Sequence, residues 1–170
     1  KPSDLQAVWD GMAGSGTESD PKIITNDHEL QAMEIDPGAY YKLGNDIDCR
    51  GTRGWSWPDH SGFEPISVTT SSYFTGTLSG DGNVIWGLYC SADSDDQASV
   101  FGTARDGAVI EDVIFYDCVC TATQDANSDA AIIASRCYQS GTPEEDNRRI
   151  FRDLLFLDCN AVGDEAGVVT

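Results

Sequence analysis

The sequence predicts an all-β fold, a right-handed single-stranded parallel β-helix with a small N-terminal α+β cap. Three observations lead there. From about Phe74 onward, short apolar strands recur between Gly, Asn and Asp turns. Several of those strands align with one another at offsets in the range of solenoid repeats. Helical spacing, by contrast, is confined to the first part of the chain.

The cap is expected over residues 1–70. Leu5, Val8, Trp9 and Met12 fall at i, i+3, i+4 and i+7, an amphipathic helix that Gly14 to Gly16 should end. Ile23 and Ile24 read as a short strand. Asn26 followed by Glu29 resembles a capping box, and Leu30 and Met33 supply the apolar face of a second short helix. Pro37-Gly38 stops that helix, Tyr40, Tyr41 and Leu43 resume strand, and Gly44-Asn45 turns the chain.

The coils are expected over residues 71–170. Val84–Cys90, Val109–Phe115 and Ile150–Phe156 align, and the last two continue in parallel as Tyr116-Asp117-Cys118 and Leu157-Asp158-Cys159. The offset is 25 residues from Ile85 to Ile110 and 41 from Cys118 to Cys159. Val100-Phe101-Gly102 is matched with Ile132-Ile133-Ala134, and Val168-Val169 begins a further copy. One coil cannot bury its own apolar face, but coils stacked at ~4.8 Å bury one another's. The polar, turn-rich stretch 137–148 reads as a loop lengthening one coil. Because the chain stops inside a new coil, the coils are expected to continue beyond residue 170. It also starts at Lys1, so any secretion signal would lie upstream.

Charge narrows the function. Acidic residues number 29 and basic residues 10, for a net charge of −19. A field of that sign repels nucleic acid and anionic membranes. No stretch approaches the ~18–20 apolar residues of a membrane span. Asp outnumbers Glu 21 to 8, the acids are spread along the chain, and Lys occurs only at Lys1, Lys22 and Lys42. Dispersed Asp with scarce Lys suits molar salt, where the Debye length falls to ~3 Å and self-repulsion is screened. The rival reading is a Ca²⁺-loaded surface protein at ordinary salt.

Gly14-Ser15-Gly16-Thr17-Glu18-Ser19-Asp20-Pro21 with Ile23 and Thr25, then Glu29-Leu30-Gln31-Ala32, Tyr41-Lys42-Leu43 and Asp46-Ile47-Asp48, resemble the cap of GLUG-motif and related β-helix surface proteins. Phe74–Ile85 resembles that family's first coil, and Ser99-Val100-Phe101-Gly102 stands where it carries Gly-Leu-Phe-Gly, with the first two positions changed. The resemblance covers roughly residues 13–170 and implies pieces of large secreted adhesins, cell-surface proteins and viral tail spikes, with no shared catalytic set. The expectation is a non-enzymatic structural or attachment module of a haloarchaeal virus tail fibre or spike, or of a haloarchaeal cell-surface protein. It would be extracellular, on a virion or cell surface. It would adhere to a host surface glycan or protein and associate as a homo-oligomer, a trimer, or as part of a larger assembly.

The six cysteines, Cys49, Cys90, Cys118, Cys120, Cys137 and Cys159, sit mostly where inward aliphatics belong, and free Cys packs as a small hydrophobe. Three readings stay open: core thiols, one or more disulfides with Cys118 and Cys159 stacked in register, or a zinc site. Cys118-x-Cys120 is too tight for the usual zinc spacing.

Enzyme chemistry is the alternative, as a polysaccharide-degrading glycosidase or lyase. Asp112 with Asp153, and Asp117 with Asp158, are in matched register, and a glycosidase needs two carboxylates roughly 5–9 Å apart. The competing reading is a solvated acidic ladder. Arg105, Arg148, Arg149 and Arg152 are the cations available to a lyase. Asp59, His60 and Ser61 are adjacent in sequence, where side chains rarely face one another as a triad requires, and His28 belongs to the second helix. Asp93, Asp95 and Asp96 form an acidic loop that suits either Ca²⁺ or a haloadapted turn. Trp55 and Trp57 flank a turn, where they would stack on sugar rings or pack on the cap with Pro65-Ile66. No catalytic residue, metal site or required cofactor is assigned from the sequence.

Overall fold

A computed structural model describes residues 1–57, 60–67, 72–92, 97–123, 129–137, 150–163 and 165–169. Helix α1 (Leu5–Gly11) starts where the Asp4 carboxylate accepts from Ala7 N at 3.0 Å. It ends before the expected glycines. The Lys22 ammonium donates to the carbonyls of Trp9 at 3.1 Å and Met12 at 3.3 Å, satisfying the helix end and its own buried charge. Helix α2 (Asp27–Gln31) begins as the sequence predicts, with Asn26 Oδ1 accepting from Glu29 N at 3.0 Å. The Glu29 carboxylate reaches back to Thr25 N, at 2.6 Å, rather than to Asn26.

Two short 3-10 helices, Ala32–Ile35 and Arg50–Gly54, follow, and the other elements of the described residues are strands in four sheets built largely of parallel pairs. The first sheet stacks β1 (Lys22–Ile24), β2 (Tyr40–Leu43), β6 (Thr77–Ser79), β11 (Val109–Glu111) and β15 (Ile150–Arg152). The second stacks β3 (Ile47–Asp48), β7 (Val84–Trp86), β12 (Ile114–Tyr116) and β16 (Leu155–Leu157). The third holds β8 (Tyr89–Ala92), β13 (Val119–Ala122) and β17 (Asn160–Val162). It is closed on one side by the antiparallel pair β4 (Ser56–Trp57) and β5 (His60–Gly62). The fourth holds β9 (Gln97–Ala98), β10 (Phe101–Ala104), β14 (Asp129–Cys137) and β18 (Glu165–Val169). From β6 on, the chain visits the four sheets in the same order three times, and each visit pairs with the previous one. One such passage is called a circuit below.

From β6 on, each three-residue strand of the first two sheets points its middle residue inward and its flanks outward, the period-2 rule of a strand, whereas β1 buries its flanks Lys22 and Ile24. Stacking turns this into inward columns: Tyr41, Leu78, Ile110 and Phe151 in the first sheet, and Ile47, Ile85, Phe115 and Phe156 in the second. Phe115 and Phe156 stack face to face, with centroids 5.4 Å apart and planes 5° apart. Burial follows stacking. Ile110, Phe115, Cys118 and Cys120, with a circuit on each side, are wholly buried, while Phe151, Phe156, Cys159 and Ala161 of the last described circuit are half-buried. Fully burying such a side chain stabilises by about 1.5–3 kcal/mol.

Two alignments made from the sequence need correcting. Val84 pairs with Ile114, not Val109; the strand beneath Val109-Ile110-Glu111 is Thr77-Leu78-Ser79. The apolar run Val84-Ile85-Trp86 was the more conspicuous match, but the turn Gly80–Asn83 displaces it by one strand. Phe101 pairs with Ala134 rather than Ile133, because β14 holds one extra residue between its pairings with Ala98 and Phe101.

The matched aspartates have a backbone reason. Asp112, Asp117, Asp153 and Asp158 have φ of 54°, 50°, 54° and 52°, at the two-residue corners between sheets. Asp tolerates the left-handed region better than most residues, and Gly87 (φ 70°) fills the corresponding corner one circuit before Asp117. A Cβ on Gly80 would lie 2.1 Å from the Asp112 carbonyl oxygen, so only glycine admits the next circuit there.

Candidate functional site

The outward faces of the first sheet carry two columns. Tyr40, Thr77, Val109 and Ile150 form one, and Lys42, Ser79, Glu111 and Arg152 form the other. A groove of about 390 Å³ runs across them. One wall is the loop before β1, which holds Pro21 and places Glu18 over the groove. Backbone hydrogen bonds fix that loop. The amides of Ser15, Gly16 and Thr17 donate to the Asp20 carbonyl at 2.9–3.2 Å, and Tyr40 N donates to Gly16 O at 2.9 Å. The Ser15 amide also donates to the Asp20 carboxylate at 2.9 Å.

The charges on the sheet side of the groove, Lys42, Glu111 and Arg152, are paired within the chain. Lys42 Nζ lies 3.0 Å from the Asp81 carboxylate, and Arg152 Nε donates to Glu111 Oε2 at 2.7 Å. The sheet thus presents an exposed phenol ring, two hydroxyls and self-compensated charges, a surface suited to hydroxyl-rich, uncharged ligands. Tyr41, directly behind it, is not available for proton transfer. Burial pushes its phenol above the ordinary range; its hydroxyl accepts from Trp9 Nε1 at 3.1 Å and donates to the Asp36 carbonyl at 2.7 Å.

The second sheet is different outside. Val84, Ile114 and Leu155 form one column, and Trp86, Tyr116 and Leu157 the other. Trp86 is covered by the Arg50 guanidinium, 4.0 Å from its ring centre, and Arg50 is itself held by Asp48 at 2.7 Å. Asp48 is kept below the usual carboxylate range mainly by its hydrogen bond from Arg50.

The residues singled out in the sequence are mostly elsewhere. Asp112, Asp117, Asp153 and Asp158 are exposed at corners and do not line the groove. Asp93, Asp95, Asp96, Arg148 and Arg149 lie outside the described residues, as does Asp59. His60 pairs with Trp57 across the β4–β5 hairpin, and Ser61 with Ser56. His28 is exposed and rests against Trp55, which packs on the cap core. Arg105 lies over the Tyr73 ring at 4.7 Å. Of the candidate cations, Arg152 reaches the groove. Among the described residues, no three His, Cys, Asp or Glu side chains are gathered as a metal site. Tyr40, Lys42, Ser79 and Glu111 were not picked out as site residues, although the alternation Tyr40-Tyr41-Lys42-Leu43 and its repeats were there to read.

Cys49, Cys90, Cys118 and Cys120 are buried thiols, and Cys159 is half-buried. Burial pushes the Cys90 thiol up to about 12, and raises Cys49 and Cys120 as well.

No family model matches the chain. Halomucin of Haloquadratum walsbyi is 36% identical over 126 residues, which are 71% of this chain and 1% of that protein. The chain therefore spans about one hundredth of the curated relative it matches. Among solved structures, a Bacteroides ovatus protein described as a candidate immunoglobulin A1 protease superposes with a TM-score of 0.54 at 23% identity, over 75% of this chain and 40% of that one. At that identity the likeness is one of fold.

Proposed function

We propose that this chain is a non-enzymatic attachment module of a halophilic extracellular surface protein, and that the groove on its first sheet is the contact face for surface glycans. The four ladders would close as a right-handed single-stranded β-helix, the usual hand of parallel crossovers. Three things support the halophilic surface reading: the charge of −19, the scarcity of Lys, and the likeness to halomucin of Haloquadratum walsbyi. A cell-surface setting is favoured over a virion because that relative is a cellular protein.

The observation that carries the binding role is the walled groove, with Tyr40 exposed and its cations already paired. A sugar stacks one face on an aromatic ring and hydrogen-bonds its hydroxyls to short polar side chains. Self-association belongs to the same proposal. The apolar outer face of the second sheet would join copies of the chain, as a trimer in a fibre-like assembly.

The alternative, glycan hydrolysis, draws on Glu18 and Glu111 lining one groove. The experiment is titration of the purified chain with soluble neutral hexose oligosaccharides in about 2 M NaCl, alongside a reducing-end assay. Binding without release of reducing ends, weakened about tenfold by Tyr40→Ala, is expected from loss of a stacking ring. Release of reducing ends that stops with Glu111→Gln would establish the enzyme instead. Binding to none of these sugars would leave the groove without its proposed role.

A further inference from the structure

We infer that Cys118 and Cys159 form a disulfide that staples two successive circuits when the folded chain meets a small-molecule disulfide. Each is the second residue of the two-residue corner that joins the second sheet to the third. The residues flanking them pair in register, Tyr116 with Leu157 and Val119 with Asn160, and Asn160 N donates to the Cys118 carbonyl at 2.9 Å. Their Cα atoms are therefore one ladder step apart, ~4.8 Å, within the roughly 4.4–6.8 Å that disulfides span.

The thiols are aimed alike. Cys118 Sγ lies 3.5 Å from the Ile85 carbonyl oxygen, one circuit down, and 3.5 Å from that of Tyr116. Cys159 Sγ lies 3.4 Å from the corresponding oxygens of Phe115 and Leu157. Cys159 thus points toward the circuit of Cys118, and the two thiols interact. That interaction raises Cys118 and, outweighing burial, lowers Cys159.

A second stacked pair is the internal control. Cys90 and Cys120 are direct ladder partners, yet both are wholly buried inside the third sheet. No reagent reaches them in the folded chain, and burial holds both as thiols. Cys159 is half-buried and is the reachable member of its own pair.

The exchange balances without a metal. The Cys159 thiolate attacks one sulfur of the small disulfide and expels a thiolate, leaving a mixed disulfide on Cys159. Cys118 loses its proton, attacks Cys159 Sγ and expels the second thiolate. The protein gives up two protons and two electrons, and the small disulfide becomes two thiols. The bond joins residues 41 apart in sequence and shortens the loops open to the unfolded chain.

The test incubates the folded chain with oxidised glutathione in about 2 M NaCl, then alkylates, digests without reductant and maps the peptides by mass. The expected result is a cross-linked peptide pair containing Cys118 and Cys159, with Cys90 and Cys120 alkylated only after unfolding. The oxidised chain should melt about 5 °C or more above the reduced one. Cys159→Ser should remove both the cross-link and the reductant-dependent shift while still melting cooperatively. Two glutathionylated cysteines without a cross-link, untouched Cys118 and Cys159, or a bridge between other positions would each overturn the inference.

Discussion

From β6 on, the first and second sheets are built from equal three-residue strands in the same three circuits, yet only their inner faces agree. Inside, Leu78 and Ile110 of one sheet match Ile85 and Phe115 of the other in burial and spacing. Outside, the first sheet sets Tyr40, Lys42, Ser79, Glu111 and Arg152 beneath a loop wall. The second sheet leaves Tyr116 and Leu157 bare, at 42% and 44% exposure. Stacking dictates the inner residues, since a circuit without its neighbours' apolar side chains cannot hold. It places no demand on the outer ones, which are free to differ by function.

The largest expected effect tests the shared interior. Phe115→Ala and Ile110→Ala should each destabilise by about 3 kcal/mol or more, measured by denaturant unfolding in molar salt. A large loss in one sheet with none in the other would break the parity. Depth along the stack should matter next. Phe156→Ala, in a half-buried ring of the same column, should cost about half as much as Phe115→Ala. The corners follow. Asp117→Val should cost about 1–2 kcal/mol, because a β-branched residue is forced into the left-handed region. Asp117→Gly should be nearly neutral, as Gly87 already is at the equivalent corner.

The outer faces give the smallest changes in stability and the sharpest contrast in behaviour. Arg152→Ala removes an exposed ion pair to Glu111 and should cost less than about 1 kcal/mol, yet weaken oligosaccharide binding. Leu155→Asp with Leu157→Asp should change stability by only about 0.5 kcal/mol and leave sugar binding intact. It should also reduce self-association in sedimentation. If both variants altered the same property, the division of labour between the faces would be wrong.

Much of this architecture was legible in the sequence. The capping box at Asn26, the short strands and the matched registers of Val109 with Ile150 and Cys118 with Cys159 all carry local signals that need no tertiary knowledge. The groove was not legible. Its columns depend on knowing that Thr77-Leu78-Ser79 lies under Val109-Ile110-Glu111, and polar Thr77 and Ser79 make a weaker strand signal than Val84-Ile85-Trp86. A register error of one strand leaves the apolar pattern plausible but scatters the outward residues. The corner aspartates left two readings open in the sequence, a carboxylate pair or a solvated ladder, and their positive φ supplies the backbone reason for them that the sequence alone did not show.

Tyr40 and Tyr116 offer matched reporters for the central claim, being 36% and 42% exposed on the two outer faces. Hydroxyl-radical footprinting of the chain in molar salt, with and without a bound hexose oligosaccharide, compares them in one experiment. Protection of Tyr40 on adding the sugar, with Tyr116 unchanged, is the predicted result. Protection of Tyr116 with Tyr40 still fully reactive would place the contact face on the wrong sheet and contradict the account.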